Sequence, residues 1–159
     1  GGRVGFDGAT FPNGTVSYHN ATFSGGPVSF AGALLSGGHV SFGSATFSAG
    51  TVSFEDARSA TGAITFSGST FSGGLVRFAR AKFRGSSIGF ANAAFTGGTL
   101  SFENSVFDHT PLFGNAKISG GTVDLRLVQW GSPACRRRRL DCCWPRPMNQ
   151  RMRRKFRAP

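Results

Sequence analysis

The first 130 residues contain no cysteine; Cys135, Cys142 and Cys143 all lie beyond them. No disulfide framework can hold this stretch, so burial and backbone pairing must do so. The chain also lacks any run of eighteen apolar residues that could span a bilayer, and nothing in it looks like a signal peptide. On both counts the cytoplasm is the favoured compartment. It begins at Gly1 and enters its repeat at once at Val4, so a fragment or a processed product is expected. Charge is scarce too. Up to Trp130 there are eight Lys/Arg (Arg3, Arg58, Arg77, Arg80, Lys82, Arg84, Lys117, Arg126) and six acids (Asp7, Glu55, Asp56, Glu103, Asp108, Asp124), a balance of +2. The net charge of +11 arises because ten Lys/Arg in residues 131–159 face only Asp141. Basicity is therefore a property of a tail.

What the chain has instead is 24 glycines and 17 phenylalanines. Repeated turns consume glycine, and one inward position recurring in every turn consumes phenylalanine; disordered low-complexity sequence would be poor in aromatics. The unit reads apolar, x, Phe, x, x, small, x, Phe, and returns about every twelve residues from Val4, Val16 and Val28 onward. The first aromatic of each unit is Phe6, Tyr18, Phe30, Phe42, Phe54, Phe66, Phe78, Phe90 and Phe102. The second is Phe11, Phe23, Phe47, Phe71, Phe83, Phe95 and Phe107, with Leu35 and Ser59 as exceptions. These phenylalanines are the expected core.

Pairs two residues apart, such as Val28 with Phe30 and Ala21 with Phe23, have the period of an extended segment. Glycine every few residues leaves no helical stripe, and glycine and β-branched residues are weak helix formers. Each pair is thus one short strand. A strand so short cannot bury a phenylalanine alone, so the units must stack. Two coil sizes fit the spacing: about 12 residues with two walls, or about 24 residues with four. The larger is preferred because four aromatics need the wider cross-section at crystal-like packing density.

The segments Ala21-Thr22-Phe23-Ser24-Gly25, Ala45-Thr46-Phe47-Ser48-Ala49, Ala81-Lys82-Phe83-Arg84-Gly85 and Ala93-Ala94-Phe95-Thr96-Gly97 resemble the bacterial pentapeptide-repeat proteins, in a phenylalanine- and glycine-rich variant. The resemblance implies an all-β fold, a right-handed four-sided β-solenoid with the aromatic and the alanine inward. It covers residues 4 to about 130. Thr, Ser or Lys replaces the family's usual Asp/Asn, and every second spacing between aromatics is seven rather than five, so the coil should be larger at two corners. Residues 1–130 are read as the solenoid and 131–159 as a basic, disordered tail.

Two irregularities are expected: a weak layer around Arg58, Ser59 and Ala60, and an altered corner between Asp108 and Phe113, where the spacing shortens by one residue at Pro111. The pattern resumes at Phe113 and Ala116.

No catalytic constellation emerges. His19, His39 and His109 occupy different positions of the unit and would not stack together, and no nucleophile or carboxylate recurs beside them. The cysteines match no zinc spacing. No cofactor and no metal are expected, and the chain is read as a non-enzymatic scaffold or protein-interaction module with an unidentified protein partner. An alternative is nucleic-acid direction through Arg136, Arg137, Arg138, Arg139, Arg153, Arg154 and Lys155, which suit phosphate neutralisation. That run equally fits a gene read out of frame. Some pentapeptide-repeat proteins mimic DNA and inhibit topoisomerases, but this solenoid is not acidic. A column of Thr22, Thr46 and Thr70 suggests an ice-binding variant, and Arg58 and Lys82, flanked by Arg77, Arg80 and Arg84, an anion-binding patch. Uncapped ends would allow homo-oligomerisation through exposed strand edges.

Overall fold

In the computed structural model, residues 2–131 are described; they form twenty-one short strands and no helix. The strands fall into four sheets, built from every fourth strand until the last coil, where the step is three, and all pairings are parallel. Val4 faces Val28 and Thr10 faces Leu34, so one coil takes 24 residues and has four walls. The two-walled alternative is thereby excluded.

The first wall contains Val4–Gly5, Val28–Ser29, Thr51–Ser53, Leu75–Arg77, Thr99–Ser101 and Thr122–Asp124. The second contains Thr10–Phe11, Leu34–Leu35, Arg58–Ser59, Lys82–Phe83, Val106–Phe107 and Gln129–Trp130. The third contains Thr15–Ser17, His39–Ser41, Ala63–Thr65 and Ser87–Gly89, and the fourth Thr22–Ser24, Thr46–Ala49, Thr70–Phe71, Ala94–Phe95 and Lys117–Ile118.

Alternate corners are built differently. From the first wall to the second, and from the third to the fourth, the chain turns in two residues. The small residue donates back to the aromatic three before it, as Ala33 N does to Phe30 O at 3.1 Å. The residue before it is left-handed: Asn20, Ser44, Asp56, Arg80, Asn92, Asn104, Asn115 and Leu127 have φ between 55° and 59°, and Gly8, Gly32 and Gly68 join them. A positive φ at that place is the mark of a type II turn, and Gly and Asn tolerate it best. Arg80 and Leu127 hold it at a cost.

The other two corners are the longer ones that the seven-residue spacing predicts. Between the fourth wall and the first the coils approach so closely that a Cβ on Gly98, itself at φ +69°, would lie 2.3 Å from Gly73 O. Positive φ at this corner belongs to Gly50, Gly74, Gly98 and Gly121. The sequence reading placed it at both Gly25 and Gly26, and Gly25 is not left-handed.

Inside, three columns of aromatic rings run with the coils. Phe6, Phe30, Phe54, Phe78 and Phe102 stack with centroids 4.8–5.1 Å apart. Tyr18, Phe42, Phe66, Phe90 and Phe113 do the same at 4.8–5.1 Å, and Phe23, Phe47, Phe71 and Phe95 at 4.5–4.8 Å. These distances match the strand spacing of about 4.8 Å, so the ladder sets the stacking. Of the expected core, Phe6, Phe11 and Phe23 in the first coil are only partly buried; from Phe30 to Phe107 the remaining phenylalanines are buried.

The fourth column, under the second wall, is broken. It reads Phe11, Leu35, Ser59, Phe83, Phe107 and Trp130, and its closest rings are 5.7 Å apart. At the layer expected to be weak, Ser59 is buried but not orphaned. Its Oγ lies 3.0 Å from the carbonyl oxygens of Leu35 and Thr61 and 2.5 Å from Ser86 Oγ. The hydroxyl can donate to a carbonyl while accepting from buried Ser86, so both polar groups are satisfied.

The altered corner is also present. Beyond Phe107 one residue is missing, and the register drops to 23, with Leu100 opposite Val123. Pro111 takes the inward place held by Ile88 one coil earlier. The third wall there shrinks to one bridge, in which Leu112 N donates to Ile88 O and Leu112 O accepts from Phe90 N. Phe113 O accepts from Ala116 N in the turn that follows, and no further strand of this wall follows Pro111 among the described residues. A proline without an N–H fits such an edge.

Candidate functional site

With the inward positions committed to packing, the outward ones carry whatever recognition the solenoid has. In a parallel, in-register wall these side chains form columns, one per coil, about 4.8 Å apart. The fourth wall presents Thr22, Thr46, Thr70, Ala94 and Lys117 in successive coils. The threonine column foreseen from sequence is therefore in register. The turns beside it, from His19–Asn20 to Gly114–Asn115, carry no carboxylate and no Lys or Arg.

The turns between the first and second walls gather most of the acids instead. Arg80, on one coil, reaches the carboxylates of the coil before it: its guanidinium lies 2.5 Å from Glu55 and 2.8 Å from Asp56. Arg77 approaches Glu55 at 3.5 Å, Arg126 binds Asp124 at 2.8 Å, and Arg3 pairs with Asp7. The Arg80 guanidinium holds the Asp56 carboxyl below the ordinary carboxylate range, and the Arg126 guanidinium does so for Asp124. Asp7 is lowered chiefly by the Ser29 hydroxyl, with Arg3 adding to it. Burial pushes the Tyr18 phenol up. All four arginines here are spent on neighbouring carboxylates, which removes Arg77 and Arg80 from the cationic patch expected from sequence.

The second wall differs. Its outward column reads Thr10, Leu34, Arg58, Lys82, Val106 and Gln129. Arg58 and Lys82 are direct partners in adjacent strands, and exposed Arg84 follows just beyond the end of the Lys82–Phe83 strand. Among the described residues none of these three has a carboxylate within ion-pair distance, while Leu34 beside Arg58 is 40% exposed. Like charges directly opposite in a ladder are unfavourable, so the arrangement is not one that wall stability selects. Recognising it from sequence required the coil length, since Leu34, Arg58, Lys82 and Val106 are 24 residues apart.

The histidines do not converge; among the described residues no group of three His, Cys, Asp or Glu could hold a metal ion. No described helix is long and apolar enough to cross a membrane. Arg136, Arg137, Arg138, Arg139, Arg153, Arg154, Lys155 and the three cysteines lie outside the described residues. Comparison with protein-family models, with curated proteins and with solved structures finds no match.

Proposed function

We propose that this chain is a non-enzymatic scaffold of pentapeptide-repeat type that presents columns of side chains to a protein partner. The observation that carries the reading is the second wall, where an exposed leucine and unpaired cations stand in consecutive coils of a register-locked ladder. A surface serving only solubility would be expected to intersperse its charges with partners, as the neighbouring corner does. The fold supplies the rigidity: the outward side chains of the inner coils, Leu34, Arg58, Lys82 and Val106 among them, stand on strands paired to the coils above and below, so a partner meets a preformed surface.

The test places a photo-crosslinking residue on each wall of the full chain in turn, at Ser53, Lys82, Ala63 and Thr46, and reads adducts by mass spectrometry in the source cells. One protein partner captured from one wall supports the scaffold. Uniform labelling of all four walls, or none from any, overturns it.

A second reading rests on the tail's charge, ten Lys/Arg against Asp141. Under it the full chain binds nucleic acid with an affinity that falls steeply with salt, and removal of residues 132–159 abolishes binding. Unchanged binding by the truncated chain ends that reading.

A further inference from the structure

The second wall's outward column allows the kind of partner to be specified, an inference that rests on the scaffold reading above. We infer that this wall docks an acidic amphipathic helix of a partner protein, laid along the solenoid axis. Its two carboxylates meet Arg58 and Lys82, and its apolar side chains meet Leu34 and Val106.

Three observations lead there. The first is charge: Arg58 and Lys82 are exposed and adjacent and form no ion pair among the described residues, and Asp56, whose carboxyl feels both of them, is held by Arg80 at 2.8 Å. A partner that brings two carboxylates relieves the repulsion between them. The second is the apolar flank on each side, Leu34 below and Val106 above, in direct register with the cations. Polyanion backbones have nothing to place on leucine and valine; an amphipathic peptide does. The third is spacing. Four rungs lie at about 0, 4.8, 9.6 and 14.4 Å. Helix positions i, i+3, i+7 and i+10 lie at about 0, 4.5, 10.5 and 15 Å, within about 1 Å of each rung. An extended peptide repeats on one face at about 6.6 Å and falls out of step by the second rung.

The chain's own residues 132–159 are a poor occupant. They follow directly on the last strand of this wall, Gln129–Trp130, but their charge has the same sign as the patch.

The probe is a fluorescent 16-residue helical peptide with Leu, Glu, Glu and Leu at i, i+3, i+7 and i+10 and otherwise Ala, Gln and Ser, titrated with the full chain. Because the tail also attracts acids, the measured quantity is the change between variants. Arg58→Glu with Lys82→Glu should weaken binding at least tenfold, and Arg58→Gln with Lys82→Gln, which adds no new charge, at least fivefold. Leu34→Ser should cost at least threefold, and a peptide with its glutamates moved to i+1 and i+5 should bind at least tenfold more weakly. Equal binding by wild type and both charge variants overturns the inference. So does displacement of the peptide by a single-stranded oligonucleotide together with indifference to Leu34→Ser, which would make the patch a polyanion site. A crosslinked partner on another wall, with no peptide effect here, sinks the helix and leaves the scaffold standing.

Discussion

The second and fourth walls, on opposite sides of the coil, begin alike at Thr10–Phe11 and Thr22–Phe23 and then diverge. The fourth keeps phenylalanine inside at Phe23, Phe47, Phe71 and Phe95 and threonine outside at Thr22, Thr46 and Thr70. The second departs inside at Leu35 and Ser59 and outside at Leu34, Arg58 and Lys82. Both are built on parallel ladders of about the same length, so the difference is not imposed by the backbone. In the coils of Leu34–Leu35 and Arg58–Ser59 the second wall departs on both faces, and at Lys82 on the outer face alone, which is what a surface adapted to something outside the repeat would produce.

The largest way to separate the walls is to cut a ring from the regular one. Phe71→Ala removes a buried ring stacked at 4.8 Å on Phe47 and 4.5 Å on Phe95, and should cost roughly 3–5 kcal/mol in chemical denaturation. Ser59→Ala, at the equivalent height of the second wall, removes only hydrogen bonds and should cost about 1 kcal/mol. Comparable losses would mean that the hydroxyl cluster carries as much of the packing as a ring.

Next in size is the corner that lets every wall close. Gly98→Ala puts a Cβ 2.3 Å from Gly73 O at a positive φ, and should destabilise by roughly 2 kcal/mol or more. Gly114→Ala, where the added Cβ meets nothing within 4 Å, is the control and should be close to neutral in the same melt.

A gain should come from repairing the broken column. Ser59→Phe with Ser86→Gly returns the second wall to the repeat, placing a ring between Leu35 and Phe83. Denaturation should show a gain of about 1 kcal/mol from the new aromatic contacts. Ser59→Phe alone should gain less, because Ser86 Oγ occupies the space, lying 2.5 Å from Ser59 Oγ. Loss in the double variant would show that the backbone has settled around the small residues.

The smallest effect concerns the acidic corner against its uncharged counterpart. Asp7, Asp56 and Asp124 have carboxyls lowered in the folded chain. Their contribution is complete above the ordinary carboxylate pKa of about 4 and is lost as pH falls through the lowered values. Denaturation midpoints should be flat from neutral pH to about pH 5 and decline below about pH 4. High salt or Asp56→Asn should blunt the decline, since these pairs are exposed and screened.

Much of this was legible without coordinates. The period-2 pairs and the return of phenylalanine dictate short stacked strands, because no other arrangement buries so many rings in so short a repeat. The alternation of five- and seven-residue spacings foretold the two kinds of corner, and the shortened spacing at Pro111 foretold an irregular corner, though not that the third wall would shrink to one bridge there. What sequence did not reveal depends on neighbours 24 or more residues away. That Ser59 is answered by Ser86, that Arg80 is spent on Glu55 and Asp56, and that Leu34 flanks Arg58 all follow from which coil lies on which. Local sequence determines where a chain bends and which side chains turn inward; the stack decides which charges meet a partner and which remain unpaired, because only stacking brings distant rungs within reach of one another.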